Sequence, residues 1–175
     1  FAFIVLRLID KGKIGFDDLL VDTHRPHGLV DSEWNNSITV RHVLTHQTGL
    51  PNWRPSDDET AVLEATFKPG TAYSYSGEAF HWLQQVCEIK TGLGLPDLAD
   101  PLFFTPAGLT DMSMLWLSDR AGREVQGHII SENGEAILAE LQFAQEHGAR
   151  LSEVAERWGR PLRSWRFEDF EKAHS

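Results

Sequence analysis

The stretch from Ser76 to Gly92 constrains this chain most, because it carries the start, stripe and stop of one helix in succession. Ser76 is placed to cap the first amide groups, and Phe80, Leu83, Val86 and Cys87 recur at helical spacing. Gly92 follows where a left-handed terminating residue belongs. The spacing therefore predicts an amphipathic helix over 77 to 91, which needs a second surface to bury its stripe. A comparable face comes earlier, where Phe1, Ile4, Val5, Leu8 and Ile9 share one side of a helix over 1 to 11, ended by Gly12. Two such faces, in 175 residues with 41% hydrophobic and 24% charged content, describe a folded globular domain and not a disordered chain.

Between these helices, residues 13 to 37 are irregular, with Pro26, Gly28 and Asn35-Asn36, and read as a long surface connection. Order restarts at Thr39, which can cap a short helix while Ile38 packs on Val43 as a hydrophobic staple, and Gly49-Leu50-Pro51 stops it. A brief helix is expected over 57 to 67, and the turn Lys68-Pro69-Gly70-Thr71 then delivers Tyr73 to Gly77. Pro96 opens another short helix, and Pro106 to Leu109 forms a turn ahead of a short strand or extended segment over 112 to 117. Beyond His128 two helices are expected, over 134 to 147 and 151 to 158, the second burying Leu151, Val154, Ala155 and Trp158.

The formal net charge of -10 and a pI near 5.2 repel phosphate backbones and anionic lipid, which argues against nucleic-acid or membrane-surface binding. The one cysteine, Cys87, excludes an internal disulfide framework and leaves the compartment open. The longest apolar stretch, Phe1 to Leu6, is far short of a membrane span. The chain begins without methionine and directly inside a helical pattern, so its natural amino terminus is expected to lie further upstream.

Several constellations carry candidate chemistry. His42 and His46 stand four apart, as two ligands of one metal would. Val43 sits where a zinc-protease helix carries glutamate, and no third ligand is in range, so both histidines read as caps or packing around the Gly49 turn, and neither a metal nor a cofactor is expected. Lys90-Thr91-Gly92 spells a triplet used in penicillin-recognising enzymes, but its place at a helix end explains it as a dipole-favoured lysine and a glycine cap. Ser118-Asp119 imitates half of another such triplet, with Arg120 in place of the amide. Leu151 to Arg160 faintly resembles the opening of a helix-turn-helix, yet from 148 to 175 six basic side chains are matched by five acidic ones, which leaves no basic footprint for DNA.

The turn ahead of Ser76 is different, because its neighbours agree with it. The run Ile38-Thr-Val-Arg-His-Val-Leu-Thr-His-Gln-Thr-Gly-Leu-Pro51 resembles the signature helix and turn of class C β-lactamases, carboxylesterases of that type and related penicillin-binding proteins. Phe67-Lys-Pro-Gly-Thr-Ala-Tyr-Ser-Tyr-Ser-Gly77 is similar to the segment that carries their catalytic tyrosine. The helix ending at Gly92 and the turn Phe104 to Met112 follow in the same order. The resemblance spans residues 1 to about 128, as the helical region of a serine hydrolase, and leaves 129 to 175 as a helical tail. It implies a mostly α fragment of an α/β fold of the β-lactamase/transpeptidase type, with the central antiparallel sheet largely missing.

In such families the tyrosine follows the turn glycine by five residues, which selects Tyr75 as the catalytic position and leaves Tyr73 as packing. A phenol can take the proton of an attacking serine and return one to the leaving group if nearby cations lower its ordinary pKa of about 10. The resemblance also implies a nucleophile on a Ser-x-x-Lys turn just ahead of the first helix, and no serine here is followed three residues later by lysine. Gly77 lies on the substrate pocket, where many relatives place an asparagine, so a side-chain amide for the substrate is missing. The implied activity is acyl-enzyme hydrolysis of a small ester, amide or β-lactam, absent from the chain by itself. The alternative is a non-catalytic binding protein on the same scaffold.

Overall fold

The computed structural model describes residues 1–54, 61–114, 128–130 and 136–138, and the chain divides into two compact units, Phe1–Met114 and Leu115–Ser175. In the first unit helix α1, Ala2–Asp10, buries Ile4, Val5 and Leu8, with Phe1 and Ile9 packed at the edge of the same core. Gly12 takes the left-handed conformation, as its position after the helix requires. Phe3 and Leu6 of α1 remain on the surface, and Phe3 packs on Phe103 with ring centroids 4.7 Å apart.

The segment 13 to 37 is not the surface connection that its irregular sequence suggested. Leu20 opens a 3-10 turn, Leu20–Asp22, and is wholly buried, its amide donating to Ile38 O at 3.1 Å. A short helix α2, Glu33–Asn36, starts at Ser32, whose hydroxyl accepts the Asn35 amide. Asn35 is itself wholly buried. Its Nδ2 donates to Val30 O at 2.8 Å, and its Oδ1 accepts the Ala65 amide at 2.9 Å. One polar side chain thus satisfies backbone groups of two distant segments, where no periodic apolar pattern is needed to hold them.

The same bonds explain why the expected helix over 57 to 67 is absent from its described part, 61 to 67. Leu63 pairs with Leu29 in a parallel bridge, giving its amide to Gly28 O at 2.9 Å and accepting from Val30 N at 3.0 Å. Residues 112 to 114 likewise carry no strand, and the rest of the segment expected to be extended lies outside the described residues.

Helix α3, Val40–Leu44, forms as expected. The Thr39 hydroxyl accepts the His42 amide while His42 Nδ1 accepts the Thr39 amide, both at 3.3 Å, a reciprocal cap. Ile38 and Val43 are both wholly buried beside it. Helix α4, Gly77–Thr91, is the longest among the described residues, and its stripe is wider than the sequence suggested, since Trp82 lies within the core and its Nε1 donates to His24 O at 2.9 Å. Helix α5, Leu95–Ala99, has Pro96 in its first turn and runs on into a π-helical turn, Asp100–Phe104, that packs against α1.

In the second unit β1, His128–Ile130, pairs antiparallel with β2, Ala136–Leu138, in register His128 with Leu138. Residues 136 to 138 are therefore extended where a helix over 134 to 147 was expected. Ile129, Ile137 and Leu138 are residue types that favour strands. The described residues are otherwise mostly helical. The remainder of the helices expected beyond 138, the helix-turn-helix likeness and Ser118-Asp119 lie outside the described residues.

Candidate active site

The Pro69-Gly70 turn is set by one backbone conformation and two hydrogen bonds. Gly70 is left-handed, its amide donates to Gln47 O at 2.9 Å, and Thr71 N closes on Lys68 O at 3.2 Å. From here the chain runs beside His46, which bonds it twice. Ser74 N donates to His46 O at 2.9 Å and Ser76 N to His46 Nδ1 at 3.2 Å. The serines are anchored, and the two tyrosines between and before them stay exposed, Tyr73 at 70% and Tyr75 at 61%.

The two tyrosines differ in how the imidazole meets them. Tyr75 stacks on His46 with centroids 4.4 Å apart and planes 28° from parallel, whereas Tyr73 meets the same ring edge-on at 5.8 Å. His46 also stacks on Phe80 of α4 at 4.8 Å. Ser76 then caps α4, its Oγ accepting the Ala79 amide at 3.0 Å and donating to Pro51 O at 2.7 Å.

Gly77 follows, and its surroundings explain why it is glycine. A Cβ there would stand 2.7 Å from two carbons of the Trp53 indole and 2.9 Å from Asn52 O. The Gly77 amide donates to Asn52 Oδ1 at 3.0 Å and the Glu78 amide to Asn52 O at 2.9 Å. Arg54 locks this loop onto α4, its backbone N and its Nε each bonding one Glu78 carboxylate oxygen at 3.1 Å in a mostly buried ion pair. Trp53, between these anchors, keeps 57% of its surface exposed. The sequence reading did not single out Asn52, Trp53 or Arg54. Gly77 was the signal, since a glycine at the first turn of a helix marks a close neighbour as readily as a lost side chain.

His42 and His46 each accept a backbone amide at Nδ1, so both act as capping and packing groups, and burial pushes His42 below its ordinary pKa. Lys90 lies in the last turn of α4, roughly 20 Å from Gly77 at 1.5 Å per residue, and is paired with Asp18 at 2.6 Å. Gly92 is the left-handed cap. The Cys87 thiol is buried and pushed up to about 12, which leaves it without a reactive thiolate. Among the described residues no helix is long and apolar enough to cross a membrane.

This helical layer, with a capped helix entered through a Pro-Gly turn and exposed tyrosines, is that of the serine β-lactamase/transpeptidase fold. A penicillin-binding protein of Bacillus halodurans superposes with a TM-score of 0.58 over 78% of this chain and 46% of its own, at 23% identity. The family model described as Beta-lactamase matches residues 1–143, and the chain belongs to that family. Penicillin-binding protein 4 of Amycolatopsis lactamdurans is 27% identical over 120 residues, 62% of this chain and 32% of that protein. A D-aminopeptidase of Cereibacter sphaeroides is 37% identical over 62 residues, 35% of this chain and 12% of that protein. The chain therefore spans a third or less of the length of these two curated relatives. At the level of the family the chemistry is serine acyl-enzyme hydrolysis.

Proposed function

We propose that this chain supplies the helical wall and the proton-transfer group of a serine hydrolase that acts on a small ester, amide or β-lactam. One observation carries the reading: Tyr75 presents an exposed ring stacked on a bonded imidazole, immediately before a capped helix. In this role Tyr75 takes the proton of the attacking serine and returns a proton to the leaving group. Gly77 lines the substrate pocket. It brings no side-chain amide, and the Trp53 indole lies where a side chain would stand, which favours an ester or simple amide over a lactam held through such a side-chain amide.

The chain by itself is inactive in this reading, because it holds no Ser-x-x-Lys motif and its one thiol is buried. The same missing motif favours the second reading, a binding protein on this scaffold. Labelling with a fluorophosphonate and with a penicillin, read by intact mass, separates them. The 175-residue chain should remain unmodified, and the product of the complete coding sequence should gain one adduct on a serine. A stoichiometric adduct on the shorter chain would overturn its assigned inactivity. An unlabelled complete product would favour the binding protein.

A further inference from the structure

We propose that His46 is the positioning residue for Tyr75, holding the phenol at the pocket wall through its ring while its main chain and Nδ1 fix the residues on either side; this rests on the proton-transfer reading of Tyr75. Three independent features converge on His46. It has φ of 53°, the one positive value at a non-glycine residue among the described residues, a conformation sparsely populated by residues with a Cβ. Its carbonyl takes the Ser74 amide and its Nδ1 the Ser76 amide, so both neighbours of Tyr75 are bonded to one residue. Its ring stacks on Tyr75 and on Phe80, and Phe80 in turn meets Phe1 edge-on at 6.1 Å, which ties the exposed phenol through the imidazole to α4 and α1.

The bond from Ser76 also sets the chemistry of the imidazole. Nδ1 accepts, so the neutral ring carries its proton on Nε2 and keeps its plane aligned with the phenol. The bond from the Ser76 amide turns the imidazole toward 74 to 76. A residue that only filled space would need none of this.

Two substitutions separate the ring from the acceptor. His46→Asn keeps a side chain tolerant of the left-handed region and an oxygen near the place of Nδ1, but removes the ring. His46→Phe keeps a ring and removes the acceptor. In proton NMR of the chain, His46→Asn should move the Tyr75 ring signals to values like those of a free tyrosine while Ser76 amide protection persists. His46→Phe should hold the Tyr75 signals away from those values while the Ser76 amide exchanges about tenfold faster. Unchanged Tyr75 signals in folded His46→Asn overturn the proposal. If either variant fails to fold, Tyr75→Leu, at an exposed position, reads the stack from the other side: the His46 ring signals should shift, and signals that stay in place overturn it.

Kinetics on the complete coding product keep this apart from the role of Tyr75. His46→Asn should lower kcat on the order of a hundred-fold with little change in KM, as a misplaced reacting group does, and His46→Phe should recover most of it. Full activity in Tyr75→Phe would sink the proton-transfer reading and leave the stack standing. Loss in Tyr75→Phe beside unchanged kcat in His46→Asn would sink the positioning role.

Discussion

The two ends of α4 each carry a triplet that resembles family chemistry, Tyr75-Ser76-Gly77 entering the first turn and Lys90-Thr91-Gly92 closing the last. Their glycines are required for opposite reasons. At Gly77 the backbone is ordinary and the space is taken by an indole and a carbonyl, while at Gly92 the space is open and the backbone is left-handed, with φ of 71°. The first glycine reports a crowded, bonded site, and the second reports a helix stop. Similar letters acquire meaning only through what surrounds them.

The largest difference in stability should come from the clamp at the first end. Arg54→Met leaves the nearly buried Glu78 carboxylate without its charged partner and should cost about 3 kcal/mol, whereas Lys90→Met breaks a half-exposed pair with Asp18 and should cost less than about 1 kcal/mol. Urea unfolding midpoints compare them. Equal losses would remove the structural distinction between the two ends.

The glycines sharpen it further. Gly77→Ala must displace Trp53 or the Asn52 carbonyl and should cost about 1 to 3 kcal/mol, and Gly92→Ala, strained only in its backbone, about 1 kcal/mol. Asparagine separates the causes, since it tolerates the left-handed region: Gly92→Asn should recover most of the loss, and Gly77→Asn none. Thermal melts of the four variants are sufficient.

How much of this was legible in the sequence follows from the kind of force at each place. Helices α1 and α4 rest on periodic burial, so Ile4, Val5, Leu8, Leu83 and Val86 announced them. The segments at 13 to 37 and 61 to 67 rest instead on Asn35, whose bonds to Leu63 and Ala65 span 28 and 30 residues, and no local pattern encodes such pairs. The β1-β2 pair was not legible, because the apolar positions Ile137, Leu138 and Leu141 also fit a helical period. Tyr75 was selected by family resemblance; its stack on His46 and the Trp53 cover over Gly77 depend on contacts between segments far apart in the chain.

A smaller effect separates the tyrosine-bearing turn from the Lys90 end of α4 by acid. Burial is the main cause that holds His42 below the usual 6.5, so its neutral form is favoured in the folded state, and its contribution is complete above that value and is lost as pH falls through the lowered one. His42 caps α3, and a Cβ on Gly70 of the tyrosine-bearing turn would lie 3.1 Å from its Nε2. Asp18, lowered from 3.8 chiefly by its bond to Lys90, keeps its contribution until the pH falls below that value. Between pH 7 and 5 the urea midpoint should therefore fall, and His42→Gln, which keeps a capping side chain without a charge change, should flatten that slope. An unchanged slope would remove His42 from the account.

Turnover tests the central claim most directly. In the product of the complete coding sequence, Tyr75→Phe should lower hydrolysis of an activated ester by about a hundred- to ten-thousand-fold, the usual contribution of a general acid-base group, with binding and folding little changed. Tyr73→Phe, which alters the edge-on neighbour, and Lys90→Met, at the far end of α4, should retain nearly full activity. Equal losses from the two tyrosine substitutions, or full activity in folded Tyr75→Phe, would contradict the assignment of the proton-transfer group to Tyr75.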